Sequence, residues 1–110
     1  IFMIERKNIY SDIKTGDDEI VDILYSKQKN ISIKRIISSG QTTPEKEWLA
    51  NDDKEWVILL EGKAKIAIEN ENKEIELNKG DYIYIPEKLK HRVTYTSVDP
   101  LCVWLAIHFI

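Results

Sequence analysis

The sequence predicts an all-β domain, a double-sheet barrel of the jelly-roll type. Apolar positions recur with a period of two, and turn residues interrupt them at short intervals, with no long helical pattern. Many short strands at regular spacing are typical of sandwiches, jelly rolls and barrels. The 110 residues are the length of one domain, so we predict a single domain over 1–110.

The predicted elements follow from this alternation. Residues 3–16 are mixed in character, and their pattern fits an irregular segment or an edge strand. Residues 45–54 hold Trp48 among many charges, and their pattern fits either an irregular strand or a bent excursion. The alternation predicts eight strands, at 19–25, 31–37, 56–60, 64–68, 75–77, 82–85, 91–96 and 102–109.

One predicted strand, 56–60, is apolar at every position, which favours burial on both faces. Alternation would place Glu55 on the inward face with Val57 and Leu59. The opposite face carries Trp56, Ile58 and Leu60, and an outward apolar face of this kind suggests a subunit interface. We therefore expect a homodimer, the commonest symmetric assembly.

Composition argues against several classes of function. The net charge is -3 with acids and bases interspersed, and no basic patch carries interleaved aromatics, so we expect no nucleic-acid partner. No apolar run reaches the roughly 18 residues of a membrane helix. Cys102 is the single cysteine, so no internal disulfide is possible, and no N-terminal leader pattern appears. We expect a cytoplasmic protein.

Two stretches resemble the motifs of the cupin superfamily. The segment from Gly80 through Pro86 to His91 resembles the second cupin motif, with Lys88 where a glycine is usual and Tyr95 where an asparagine is usual. The segment from Glu55 to Gly62 resembles the end of the first motif. The two histidines that open that motif would fall at residues 48–50 or one residue later, and neither is present.

The resemblance covers residues 31–109 and implies a cupin double-stranded β-helix. It is nearest to small single-domain cupins with a Gly-Gln-x-x-Pro loop, a Glu-Trp-Val strand and a Trp-Leu-Ala-x-His end, here at 40–44, 55–57 and 104–108. That group implies no settled reaction. Cupins host many activities, so the resemblance is more specific for the fold than for the chemistry.

Cupin metal sites commonly use three histidines and one carboxylate, and this chain matches that pattern at Glu55 and His91. The resemblance implies weak binding of a divalent iron, manganese, zinc or nickel ion, since such metals suit nitrogen and oxygen donors. Four polar residues near the missing histidines are candidates for a further ligand: Glu47, Asn51, Asp52 and Asp53.

His91 and Glu55 are also the candidate catalytic residues. His91 is a metal ligand or a general base, or else a histidine hydrogen-bonded inside the barrel mouth. Glu55 on an apolar face needs a partner, because burying a lone carboxylate is costly. That partner is a metal, His91, Arg35 or Arg92.

Several aromatic and polar residues complete the predicted site. We expect Tyr82, Tyr84, Tyr95 and Trp48 to line a small-molecule cavity, although strand tyrosines are also common in ordinary packing. His108 shares a face with Trp104 and Ala106 and is assigned a structural role. Cys102 is predicted to be buried rather than reactive.

Three functions remain open from the sequence. The first is a metal-dependent enzyme acting through Glu55 and His91. The second is a non-catalytic binding or sensing module that works without metal, as the missing histidines suggest. The third is a structural subunit of a larger assembly, suggested by the outward apolar face.

Overall fold

The computed structural model describes residues 4–110, so residues 1–3 of the predicted domain lie outside the described part. Eight strands and no helix occur over that range, and the all-β prediction is confirmed. The strands are β1 (Ile20–Lys27), β2 (Ile31–Ser38), β3 (Lys54–Glu61), β4 (Ala64–Ile68), β5 (Ile75–Leu77), β6 (Tyr82–Ile85), β7 (His91–Thr96) and β8 (Cys102–Phe109).

These strands agree with the predicted ones to within two residues at each end, because the alternation of apolar side chains decides them. Residues 45–53 form an excursion with one isolated bridge, and residue 54 already belongs to β3. The Leu49 amide donates to the His91 carbonyl at 2.8 Å, and the His91 amide donates back to Leu49 at 3.0 Å. This bridge ties the excursion to the start of β7.

The strands form two antiparallel sheets. One has the order β1-β2-β8-β3-β6 and the other β5-β4-β7. The core between them consists of the inward residues Val57, Leu59, Ala64, Ile66, Leu77, Ile85, Cys102, Trp104 and Ala106. Cys102 is fully buried in this core, as expected from the sequence.

Gly62 makes the sharp crossing from β3 in one sheet to β4 in the other. Its φ is +90°, a left-handed conformation that favours glycine. A Cβ atom there would lie 2.7 Å from the Leu101 carbonyl oxygen and 2.8 Å from Cys102 Sγ. The crossing therefore requires glycine both for its conformation and for the space around it.

Arg35 fastens the N-terminal segment to the outer face of the larger sheet. Its Nη1 donates to the carbonyls of Ile9 at 3.1 Å and Ser11 at 2.5 Å, and its Nη2 donates to that of Asp12 at 3.3 Å. The same Nη2 lies 2.8 Å from Asp22 Oδ2 on β1. Arg35 thus satisfies its charge on the outer face, away from the sheet interior.

The rest of that outer face is apolar and partly exposed. The side chains that share it are Trp56 and Ile58 on β3, Tyr82 and Tyr84 on β6, and Leu105 and Ile107 on β8, here called the outer patch. The rings of Trp56 and Tyr82 lie 5.3 Å apart between centroids. The outward and inward faces of β3 follow from alternation, since Val57 and Leu59, which alternate with Trp56 and Ile58, are 3% and 0% exposed.

Candidate functional site

A cavity of about 200 Å³ lies between the two sheets, at the end of the core where β3 and β7 begin and β8 ends. Much of its wall is apolar, and the polar groups are few. The apolar wall is formed by Ile36, Leu49, Val57, Ile66, Ile85, Val93 and the Trp104 ring, and the polar groups belong to Glu19, Ser38, Asn51, Glu55, His91 and His108. The structure thus brings Glu55 and His91 to one cavity.

His91 is buried, at 4% exposure, and contributes to the wall of this cavity. The Leu89 carbonyl oxygen lies 2.9 Å from its Nδ1 and can only accept, so Nδ1 carries the hydrogen. In the neutral ring this leaves a lone pair on Nε2. Nε2 has no hydrogen-bond partner among residues 4–110, so it is the nitrogen available to a ligand.

The loop before His91 explains how the ring is held. Lys88 stands where the cupin motif usually has glycine, and it keeps the left-handed conformation with a φ of +65°. Its amide donates to the Asn51 carbonyl at 2.6 Å, which links this loop to the excursion before β3. The backbone geometry of the motif therefore persists although its glycine does not.

Glu55 is held by two neighbours that differ from those predicted. Asn51 Nδ2 donates to Glu55 Oε1 at 3.2 Å, and His108 Nε2 lies 3.7 Å from Glu55 Oε2. Neither predicted arginine is its partner: Arg35 binds Asp22 on the outer face, and Arg92 lies over the Trp48 ring at 5.9 Å. The prediction of Arg35 or Arg92 was wrong because alternation alone does not reveal which strands are neighbours.

His108 lies in the cavity wall. It is directly opposite Glu55 in the register of β8 with β3, and its Nδ1 lies 3.1 Å from Asp53 Oδ1. In the sequence, the face that it shares with the buried Trp104 and Ala106 was the available signal. Asp53, His108 and Glu55 thus form a continuous polar row into the cavity.

Of the four candidates for a replacement ligand, two lie at or beside the cavity and two do not. Asn51 lines the cavity and Asp53 contacts His108, as described above. Glu47 and Asp52 are exposed and do not contribute to the cavity wall. Within residues 4–110, Asp53 does not join Glu55 and His91 in a group arranged to hold a metal.

Glu19 is a cavity residue that the sequence did not single out. The buried Trp104 Nε1 donates to Ser38 Oγ at 3.2 Å, and Ser38 Oγ donates to Glu19 Oε2 at 3.2 Å. Ser38 itself is 1% exposed. This chain of hydrogen bonds places the carboxylate of an exposed residue at the cavity wall. In the sequence Glu19 is the last of three successive acidic residues, so nothing distinguishes it from a solvated acidic run.

The aromatic residues predicted to line the cavity lie elsewhere. Tyr82 and Tyr84 are opposite Ile58 and Trp56 in the β3–β6 register, so alternation places them on the outer patch, 63% and 51% exposed. Tyr95 lines a separate pocket of about 220 Å³ together with Lys65. Trp48 is 38% exposed and stacks with Arg92. None of the four contributes to the cavity wall.

The donors in the cavity do not fit a resident metal. Among residues 4–110, no group of three or more histidine, cysteine, aspartate or glutamate side chains is arranged to hold one. His91 Nε2 and the Glu55 carboxylate are the two predicted ligands, while His108 is engaged with Asp53. Two protein donors would leave most of the coordination sphere to water and bind a divalent ion weakly.

Sequence comparison gives the family. A family model described as "Cupin domain" matches residues 36–108, and the chain belongs to that family. The predicted cupin membership is thereby confirmed. No curated protein matches the sequence.

Solved structures agree with this assignment. A protein from Ralstonia eutropha JMP134, provisionally named a mannose-6-phosphate isomerase, is 33% identical, with a TM-score of 0.90 over 96% of this chain and 98% of that one. A cupin from Methanocaldococcus jannaschii, whose double-stranded β-helix fold is described as RmlC-like, is 17% identical, with a TM-score of 0.72 over 97% and 92% of the two chains. A cupin superfamily protein from Desulfitobacterium hafniense DCB-2 is 15% identical, with a TM-score of 0.73 over 89% and 83%.

Within residues 4–110, the structure contains no helix that is long and apolar enough to cross a membrane.

Proposed function

We propose that this cupin binds a small organic molecule in the cavity between its sheets and does so without a resident metal. The observation that carries the proposal is the placement of His91. A buried imidazole whose tautomer is fixed by the Leu89 carbonyl, and whose Nε2 has no partner within residues 4–110, is prepared to accept a hydrogen bond from a ligand.

The cavity suits a compact molecule. Its volume of about 200 Å³ lies below the range usual for drug-sized ligands. Apolar walls from Val57, Ile66 and Ile85 would exclude water around the polar groups, which strengthens each hydrogen bond to the ligand. His91 and Glu55 would be the principal contacts, and a general-base role for His91 Nε2 would add proton transfer to binding.

The name given to the Ralstonia relative suggests a second candidate, the isomerisation of a sugar phosphate. Such a reaction moves a proton between neighbouring carbons, and His91 Nε2 could act as its base. A phosphate group, however, is usually received by arginine, lysine or backbone amides. No lysine or arginine within residues 4–110 contributes to the cavity wall, so the site favours a ligand without phosphate.

The first experiment is a screen of small metabolites by thermal shift, run with and without EDTA. A metal-independent ligand should raise Tm equally in both conditions, since anything that binds only the folded state stabilises it. His91→Ala should abolish the shift, whereas the control Tyr84→Phe, on the outer patch, should retain it. A ligand shift that survives His91→Ala would place binding outside this cavity.

The same screen separates the metal-dependent alternative. A divalent iron, manganese, zinc or nickel ion bound at Glu55 and His91 would make ligand binding sensitive to EDTA. Retention of one metal per chain after gel filtration would overturn the metal-independent proposal. A Tm shift that is identical with and without EDTA would support it.

We also propose that the chain forms a homodimer through the outer patch. A contiguous apolar surface of this kind usually marks an association site, and a second copy would present the same apolar chemistry across a twofold axis. Light scattering after gel filtration should give twice the mass of 12.9 kDa. Ile58→Lys should give the monomer mass, and a wild-type monomer would contradict the proposal.

A further inference from the structure

The hydrogen-bond inventory of the cavity limits the chemistry of its ligand, and this inference rests on the proposed function. The polar side chains of the wall satisfy most of their donors among themselves. Trp104 Nε1 donates to Ser38, Ser38 Oγ donates to Glu19, and Asn51 Nδ2 donates to Glu55. His91 Nδ1 donates to the Leu89 carbonyl, and His108 Nδ1 lies against Asp53.

The acceptors of the same wall are only partly used. A carboxylate has about four lone-pair positions, and Glu55 receives one hydrogen bond from Asn51 together with the nearby His108 nitrogen. Glu19 receives one from Ser38. His91 Nε2 receives no hydrogen bond within residues 4–110, although only 4% of the residue is exposed. The cavity therefore offers acceptors and needs a ligand that brings donors.

Charge favours the same class of ligand. The wall contains the carboxylates of Glu19 and Glu55, and within residues 4–110 it contains no lysine or arginine. A wall with this excess of negative charge attracts cations and repels phosphate. Hydrogen bonds from an ammonium group to a carboxylate are shorter and stronger than those between neutral groups.

We propose that the cavity binds a small amino alcohol or amino sugar, with its ammonium group on the Glu19 carboxylate and hydroxyl groups donating to Glu55 and His91 Nε2. Glu19 is the residue that sets selectivity for the amine. Its carboxylate accepts a hydrogen bond from Ser38 Oγ, which in turn accepts one from the buried Trp104 Nε1, and this chain places the carboxylate at the wall. Glu55 and His91 bind the remaining donors.

A matched series of three hexoses tests the proposal: mannosamine, mannose and mannose 6-phosphate, measured by calorimetry at neutral pH with the full chain. Mannosamine should bind about tenfold more tightly than mannose, as expected for one charge-assisted hydrogen bond. Mannose 6-phosphate should bind most weakly. Glu19→Gln should reduce the mannosamine-to-mannose ratio of affinities by about threefold or more.

The control for charge is Asp18→Asn, which removes the same charge one residue away and does not alter the cavity wall. If both variants reduce the ratio equally, the effect is the overall charge of the protein, and the assignment of Glu19 is overturned. Thermal unfolding of each variant verifies that it is folded.

The remaining outcomes distinguish this proposal from the proposed function. Equal affinity for mannosamine and mannose, or tightest binding of mannose 6-phosphate, would overturn the amine proposal while cavity binding stands. No binding of any of the three, with a metabolite hit from the thermal screen that carries no amine, would also overturn it. No binding in either experiment would remove both proposals.

Discussion

The two ends of the core are built from the same strands but differ in character: one is tightly packed and apolar, and the other is lined with polar groups around a cavity. The packed end, defined by Leu59, Ala64, Leu77 and Cys102, is buried to within 3% exposure. The cavity end, defined by Asn51, Glu55, His91 and His108, is lined with polar groups. On β3, Leu59 and Glu55 point inward only four residues apart, about 13 Å along the strand.

The difference shows that this fold separates stability from function along each strand. At the packed end, small residues and a required glycine permit close approach of the two sheets. At the cavity end, polar side chains hold one another in place while leaving acceptors open. Substitutions at the packed end should therefore reduce the free energy of unfolding far more than those at the cavity end.

The largest expected effect is that of Leu59→Ala. Leu59 is 0% exposed, so its truncation leaves a cavity and should cost about 2–5 kcal/mol of unfolding free energy. Leu49→Ala is the matched truncation at the cavity end, where the side chain is 44% exposed, and should cost less than about 1 kcal/mol. Urea denaturation measures both, and equal losses would contradict the division of the core.

A second comparison tests the crossing at Gly62. Gly62 and Gly80 share a φ of +90°, but a Cβ on Gly80 would meet nothing within 4 Å. Gly80→Ala should therefore cost only the conformational strain, about 1 kcal/mol, while Gly62→Ala should cost about 2–3 kcal/mol because it also displaces the Leu101 backbone. If the two variants unfold at the same urea concentration, the close approach at Gly62 is not a constraint.

The smallest effect is expected at the cavity end, from Lys88→Gly. Lys88 has a φ of +65°, where a side chain is strained, so glycine should raise the free energy of unfolding by about 0.5 kcal/mol. Lys88→Ala also removes the lysine side chain but keeps Cβ, and it should give no such gain. Urea unfolding of the two variants tests this, and a destabilised Lys88→Gly would show that the lysine itself holds the loop.

The fold could be predicted almost entirely from the sequence, because apolar residues at alternate positions mark both the strand and the face that it buries. The same alternation placed Glu55 and Val57 inward, and motif spacing brought His91 to the same region. The outcome for the tyrosines shows where this reasoning stops. Tyr82 and Tyr84 alternate with Ile83 and Ile85, and only the pairing of β6 with β3 reveals which set faces the core.

The remaining site residues depend on contacts between distant parts of the chain. His108 meets Glu55 because β8 lies beside β3, an arrangement that the spacing of single strands does not fix. Glu19 reaches the cavity through Ser38 and Trp104, a chain of three side chains from separate segments. Such positions follow from strand order and register, so single-sequence patterns leave them undetermined.

The position of the histidines has a practical consequence. The chain contains two, His91 and His108, and both line the cavity. Every imidazole resonance in a proton spectrum of the unlabelled protein therefore originates at the candidate site. Titration with any compound can be followed through those few signals, so the native molecule carries its own reporter of occupancy without a tag, a label or a substitution.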